Sequence, residues 1–101
     1  MSFNLTSLQR SPSKNLTNAD SPYTVLVSDY ILLADTTSGN ITINLPAIAN
    51  VRGKLFEITK RASANTLTLD PNSSETIYGL TTLAITDQYA TVVIYAPVTG
   101  T

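Results

Sequence analysis

The stretch SANTLTLDPNSSETIYG, residues 63–79, decides how this chain is read. Thr66, Leu67, Thr68, Leu69 and Asp70 alternate polar and apolar, and a period of two puts alternate side chains on opposite faces of a half-buried strand. PNSS at 71–74 breaks the run with turn residues, and TIYG at 76–79 resumes it as a short strand. Leu67 and Leu69 are therefore expected inside and the threonines outside.

Working outward, the same grammar recurs. NITINLP (40–46) sets Ile41, Ile43 and Leu45 against Thr42 and Asn44, and Pro46 ends the strand because it cannot donate to a ladder. LFEITK (55–60) points Phe56 and Ile58 to the core and Glu57 and Thr59 away from it, with Leu55 at a boundary. YTVLV (23–27) and YILLAD (30–35) are apolar runs split by Ser28 and Asp29, and LTTLAIT (80–86) is a later strand. TTSGN (36–40) is a turn in which Gly39 and Asn40 are placed to take positive φ. AIANVRG (47–53) suits one helical turn that stops at Gly53.

In YATVVIY (89–95), Ala90, Val92 and Ile94 oppose Tyr89, Thr91, Val93 and Tyr95, so both faces are apolar. Such a strand asks to be covered on two sides. About seven short strands with turns between them imply an all-β fold, expected as a small antiparallel sandwich, barrel or prism-like module. The alternation keeps no fixed period, so a solenoid is not expected.

Residues 1–22 differ. They hold Pro12, Pro22, many Ser, Thr and Asn, and isolated apolar residues Phe3, Leu5, Leu8 and Leu16. This composition suggests an extended N-terminal arm ahead of a β-module at 23–101, with Phe3, Leu5 and Leu8 inserted into grooves of a neighbour.

Charged residues make up 13% of the chain and the net charge is -1. Six basic residues spread over 101 cannot neutralise a run of phosphates, which argues against nucleic acid. The absence of cysteine excludes disulfides and thiolate metal sites. No apolar run approaches the ~20 residues of a membrane helix, and the first residues lack the apolar block of a signal peptide.

Histidine, the usual acid–base group near neutrality, is absent, so Ser-His-Asp and Cys-His arrangements are excluded. Asp20, Asp29, Asp35, Asp70, Glu75 and Asp87 fall at turns or strand ends, where acids commonly accept from backbone amides. Asp70 and Glu75 flank one turn but do not match a calcium loop. Lys54, Lys60 and Arg61 border LFEIT, where charge would blunt a sheet edge. Tyr78, Tyr89 and Tyr95 are read as strand-packing residues. No catalytic, cofactor-binding or metal-ligating residue is expected.

Residues 23–100 resemble a module of bacteriophage virion proteins, notably tail fibres, head fibres and related appendages. YTVLVSDYILLADTTSGNITINLP, GKLFEITKRASANTLTLDPNSSETIYG and LAITDQYATVVIYAPVTG carry the likeness. Tyr23, Asp29, Tyr30, Asp35, Gly39, Leu45, Pro46, Gly53, Asn65, Glu75 and Gly79 occupy its motif positions. Two departures stand out: the family's final tryptophan-bearing strand is missing, and Ser73 or Ser74 stands where glycine is frequent.

The resemblance implies a structural virion protein, at a fibre base, on an appendage or decorating a capsid, assembled in the host cytoplasm. It implies a homotrimer whose other partners are capsid, portal, tail or fibre proteins, without nucleic acid, membrane or cofactor. Val92, Val93, Ile94 and Tyr95 are the expected subunit interface, and Phe3, Leu5 and Leu8 the particle-anchoring arm. A carbohydrate-recognising module that binds host glycans is the alternative.

Overall fold

Strict alternation in the sequence becomes strict alternation in space. Ile41, Ile43, Leu67 and Leu69 expose nothing to water, while Thr42, Asn44, Thr68 and Asp70 between them stand half-buried on the other face. The computed structural model describes residues 13–98. Within them lie β1 (Ser13–Thr17), β2 (Tyr23–Thr24), β3 (Ile31–Asp35), β4 (Ile41–Asn44), β5 (Leu55–Lys60), β6 (Leu67–Asp70), β7 (Leu83–Ile85) and β8 (Thr91–Tyr95). Two short 3-10 turns sit at Asn18–Asp20 and Ile48–Asn50, the second being the expected helical turn before Gly53. The all-β expectation holds for these residues.

The expected antiparallel arrangement does not hold. One sheet has the order β1-β3-β5-β8 and the other β2-β4-β6-β7, and in both the first three strands are parallel. From β1 to β6 the chain passes from one sheet to the other and back, so each of β3 to β6 lands beside the strand laid down two earlier. Parallel neighbours need a crossover connection, and here the crossover is itself a strand of the opposite sheet. Only β7 and β8 run antiparallel, against β6 and β5.

This is a coil, which the sequence did not suggest because its steps are unequal. Ser13 lies beside Ile31, eighteen residues on, and Tyr23 beside Ile43, twenty on. The next steps, Ile31 to Glu57 and Ile43 to Leu69, are twenty-six. The longer steps carry the insertions 45–54 and 61–66.

Both sheets bury their inward residues in one core. Leu16, Leu32, Ala34, Phe56 and Ile58 come from one side and Ile41, Ile43, Leu67, Leu69 and Ile85 from the other. Each of the larger side chains among them contributes roughly 1.5–3 kcal/mol through burial.

The stretch read as an arm over 1–22 belongs to this fold from Ser13 on. β1 pairs with β3 along its whole length, and Leu16 is only 2% exposed. Phe3, Leu5 and Leu8 lie outside the described residues.

Several local readings are also revised. TIYG forms no strand; Ile77 and Leu80 instead exchange two backbone hydrogen bonds of 2.9 and 2.8 Å across a tight turn. Neither Gly39 nor Asn40 takes positive φ. Gly39 instead gives the Asn18 side chain room, since a Cβ there would stand 2.6 Å from Asn18 Nδ2 and push that side chain aside. Asn18 uses that nitrogen to donate to the Asn40 carbonyl at 2.7 Å, tying the Asn18–Asp20 turn to the next coil. Ser73, one of the two serines in glycine's place, does adopt φ of 52°.

Lys60 is the clearest correction. It does not blunt an edge, because β5 lies between β3 and β8 and Lys60 is fully buried. Its Nζ donates to the carbonyls of Ala62 at 2.5 Å and Ala64 at 3.3 Å. Thr36 Oγ1 donates to the same Ala64 oxygen at 2.6 Å, so the ammonium holds the 61–66 turn from within while the hydroxyl ties it to the preceding coil.

Candidate functional site

The strand expected to form an interface, β8, is the outer strand of its sheet, and its four named residues divide into two pairs. Val92 and Ile94 point inward and pack against the core. Val93 and Tyr95 point outward, 58% and 69% exposed. Of the four, only the outward pair is available to another molecule in this arrangement.

Register extends that pair into a surface. Val93 sits opposite Glu57, and Glu57 opposite Ile31. Tyr95 sits opposite Leu55, while Leu33, Thr59 and Thr91 form the neighbouring row. Thr59 and Thr91 close that row with a hydroxyl–hydroxyl hydrogen bond of 2.7 Å.

The outer face of the sheet thus joins Ile31, Leu33, Leu55, Val93 and Tyr95 around one carboxylate, Glu57. Leu55 is exposed, and Ile31 and Leu33 are half-buried. A copy laid over this face would have to leave Glu57 a route to water or offer it a donor, since an unpaired buried charge is costly. The sequence signalled Val93 and Tyr95 by alternation. It missed Ile31 and Leu33, because the continuous run YILLAD does not show which residues face out.

Titratable groups converge at the other end of the coil. Lys14 Nζ donates to the Tyr23 hydroxyl at 2.6 Å, and that hydroxyl donates to Asp29 Oδ2 at 2.5 Å. Lys14 also lies 3.3 Å from Asp29 Oδ1, and the Leu26 amide donates to Asp29 Oδ2 at 2.8 Å. Burial raises the Tyr23 pKa above its ordinary value, and the hydrogen bond to Asp29 adds to that. Burial also pushes the Asp29 carboxyl upward, but donation from Tyr23, Leu26 and Lys14 outweighs it and leaves the pKa below the ordinary value.

Kept protonated, the Tyr23 hydroxyl accepts from Lys14 and donates to Asp29, so the cluster clamps β1, β2 and the 25–30 connection together. Asp20 and Asp35 act likewise at their turns, accepting from the Thr17 and Thr37 amides at 2.8 and 3.0 Å. Glu75 accepts from the Ile48 amide at the start of the second 3-10 turn. These are the backbone-binding roles expected of the acids.

A groove of about 660 Å³ opens between the end of β8 and the 71–78 segment, lined by Leu45, Phe56, Glu75, Ile77, Tyr78 and Tyr95 among others. Tyr78 does not pack across a strand as expected. It is fully exposed at the tip of the Ile77–Leu80 turn, with φ of 50° followed by Gly79 at 79°. That left-handed pair is the geometry of a tight hairpin turn. A non-glycine residue there costs of order 1 kcal/mol.

Among the described residues, no group of three or more His, Cys, Asp or Glu could hold a metal ion, and no helix is long and apolar enough to cross a membrane. Comparison with known proteins gave no matching family model, no matching curated protein and no matching solved structure.

Proposed function

We propose that this chain is a structural module of a bacteriophage particle, at a fibre base, on an appendage or as a capsid decoration, that works as a homotrimer. The observation that carries the reading is the apolar outer face formed by Ile31, Leu33, Leu55, Val93 and Tyr95. Exposed apolar surface that is contiguous and rimmed by polar residues is typical of association sites. Copies of the same chain would cover it about a rotation axis, and closed cyclic symmetry lets one patch serve every subunit. The number three, and the setting in a virion, come from the sequence resemblance over residues 23–100. The module's role is attachment and scaffolding rather than turnover.

Light scattering of the purified protein tests this directly. The expected mass is three times the 10.8 kDa chain. Val93→Asp should give a folded single chain, because Val93 already meets water in the protomer. Wild-type protein that stays a single chain at all concentrations overturns the reading.

A second reading rests on Tyr78. A fully exposed aromatic ring held on a strained turn beside a groove also lined by Tyr95 is suited to stack on a sugar. Glycan-array binding that is lost in Tyr78→Ala would favour a carbohydrate-recognising module, and an array without hits would remove it.

A further inference from the structure

The outer face that carries Val93 and Tyr95 turns polar at its other end. Register sets Leu33 beside Thr59, and Thr59 opposite Thr91. One row further on, Thr17 lies beside Asp35, and the Arg61 amide, just past the end of β5, donates to the Ala34 carbonyl at 2.7 Å. Thr17, Asp35 and Arg61 meet Gln88 and Tyr89 around a cleft of about 540 Å³ at the carboxyl ends of the parallel strands β1, β3 and β5. Sites for small ligands commonly measure about 300–1,000 Å³.

Charges of both signs stand open there. Asp35 accepts from Thr37 through Oδ1, from the amide at 3.0 Å and the hydroxyl at 2.5 Å, and its Oδ2 takes no donor among the described residues. The Thr37 hydroxyl and amide, with a weaker pull from Arg61, hold the carboxyl below its ordinary value, so it is ionised at neutral pH. Arg61 is near enough to exert that pull yet forms no ion pair with Asp35, and among the described residues nothing accepts from its guanidinium.

Tyr89 supplies an aromatic wall at the cost of backbone strain. It is the third residue of the turn in which the Ala90 amide donates to the Asp87 carbonyl at 3.2 Å, and its φ of 66° is one that suits glycine. A tyrosine in that conformation costs of order 1 kcal/mol. Its side chain is 68% exposed, so burial offsets little of this, and it does not pack across strands as the sequence implied. Strain kept at an exposed aromatic residue beside a cleft points to binding.

We infer that this cleft binds a neutral saccharide unit, with a face of the sugar ring stacked on Tyr89 and its hydroxyls donating to Asp35 Oδ2 and accepting from Arg61. A hydroxyl both donates and accepts, so neighbouring sugar hydroxyls satisfy a carboxylate and a guanidinium together. A charged ligand of either sign would meet a like charge in the same cleft. The tyrosine ring offers an apolar face with a polar tip, which suits the C–H face of a sugar. Two rows of the sheet, Glu57 with Val93 and Thr59 with Thr91, separate the site from Leu55 and Tyr95. The inference therefore rests neither on the trimer nor on the Tyr78 groove.

A glycan array of neutral and acidic oligosaccharides, probed with the full chain, should return neutral hits, and calorimetric titration of the strongest gives its affinity. Tyr89→Gly should weaken that affinity while leaving the thermal midpoint at or above the wild-type value, because glycine relieves the positive φ. Asp35→Asn keeps an acceptor for Thr37 but removes the open carboxylate oxygen. It should weaken binding about tenfold or more, the effect of losing a hydrogen bond to a charged group. Tyr78→Ala should bind as the wild type does. An array without hits, hits confined to acidic glycans, or full affinity in both Tyr89→Gly and Asp35→Asn overturns the inference. Binding lost in Tyr78→Ala but kept in Tyr89→Gly also overturns it, and assigns the sugar to the other groove. The mass measured by light scattering is independent of all these outcomes.

Discussion

The parallel coils and the antiparallel strands that close them use similar residues to different ends. In the coils, Leu32, Ile41, Ile43, Ile58, Leu67 and Leu69 expose nothing. In β7 and β8, Leu83, Val92 and Ile94 are only partly buried, and Val93 and Tyr95 stand in water. An inner coil strand has a strand on each side and a sheet opposite, so its inward side chains are enclosed from every direction. β7 and β8 each have one sheet neighbour among the described residues. The difference shows how the molecule divides its labour: winding seals the middle, and the reversed end leaves apolar surface for contact.

Matched truncations would break or sharpen that division. Ile43→Ala removes a fully enclosed side chain and should cost about 2–5 kcal/mol, measured by chemical denaturation. Ile94→Ala in β8 should cost clearly less, about 1–2 kcal/mol, because a half-buried site loses less contact and its cavity is open to water. Equal losses would mean that β8 is as tightly enclosed as the coils, and the contrast would fail.

The next largest effect concerns Lys60. Lys60→Met keeps the length of the stem but removes the donor to the Ala62 and Ala64 carbonyls. Ala64 keeps the Thr36 hydroxyl, whereas Ala62 loses its donor. A buried acceptor left without a partner costs about 1–3 kcal/mol, and Ala62 is only half-buried, so a loss of about 1 kcal/mol is expected. A variant as stable as the wild type would show that water replaces the ammonium, and that the 61–66 turn is held by its backbone alone.

What was legible in the sequence follows the same line. NITINLP, TLTLD and LFEITK placed Ile41, Ile43, Leu67, Leu69, Phe56 and Ile58 correctly, because inward and outward alternation depends on one strand alone. Strand direction was not legible, since a strand presents the same alternation to a parallel or an antiparallel neighbour. The winding was hidden by steps of eighteen and twenty residues followed by twenty-six.

Lys60 misled by its charge. It shares parity with Phe56 and Ile58, and parity would have placed it inside had the ammonium's two carbonyl partners been foreseeable. The candidate surface was half legible. Val93 and Tyr95 could be found on β8, but Ile31, Leu33 and Leu55 join them only through register across three strands.

The smallest effect is expected at the clamp, and its pH dependence is confined to acid. Asp29 is 7% exposed, and its folded pKa lies below the ordinary carboxylate value because the donors around it outweigh its burial. A depressed folded pKa means that the unfolded chain takes up the proton first as pH falls. The stability from ionised Asp29 is therefore fully present above the unfolded value of about 3.9, and is lost as pH drops through the lower folded value. Asp29→Asn removes this titration, so its denaturation midpoint should fall less steeply below about pH 4 than that of the wild type. Asp35, whose carboxyl is also lowered by the Thr37 hydroxyl and amide, titrates in both proteins and cancels in the comparison. Parallel acid limbs would show that Lys14, Tyr23 and the Leu26 amide hold the carboxyl no better than water does. The first coil would then depend on its ladder and on Leu16 and Val25 rather than on the clamp.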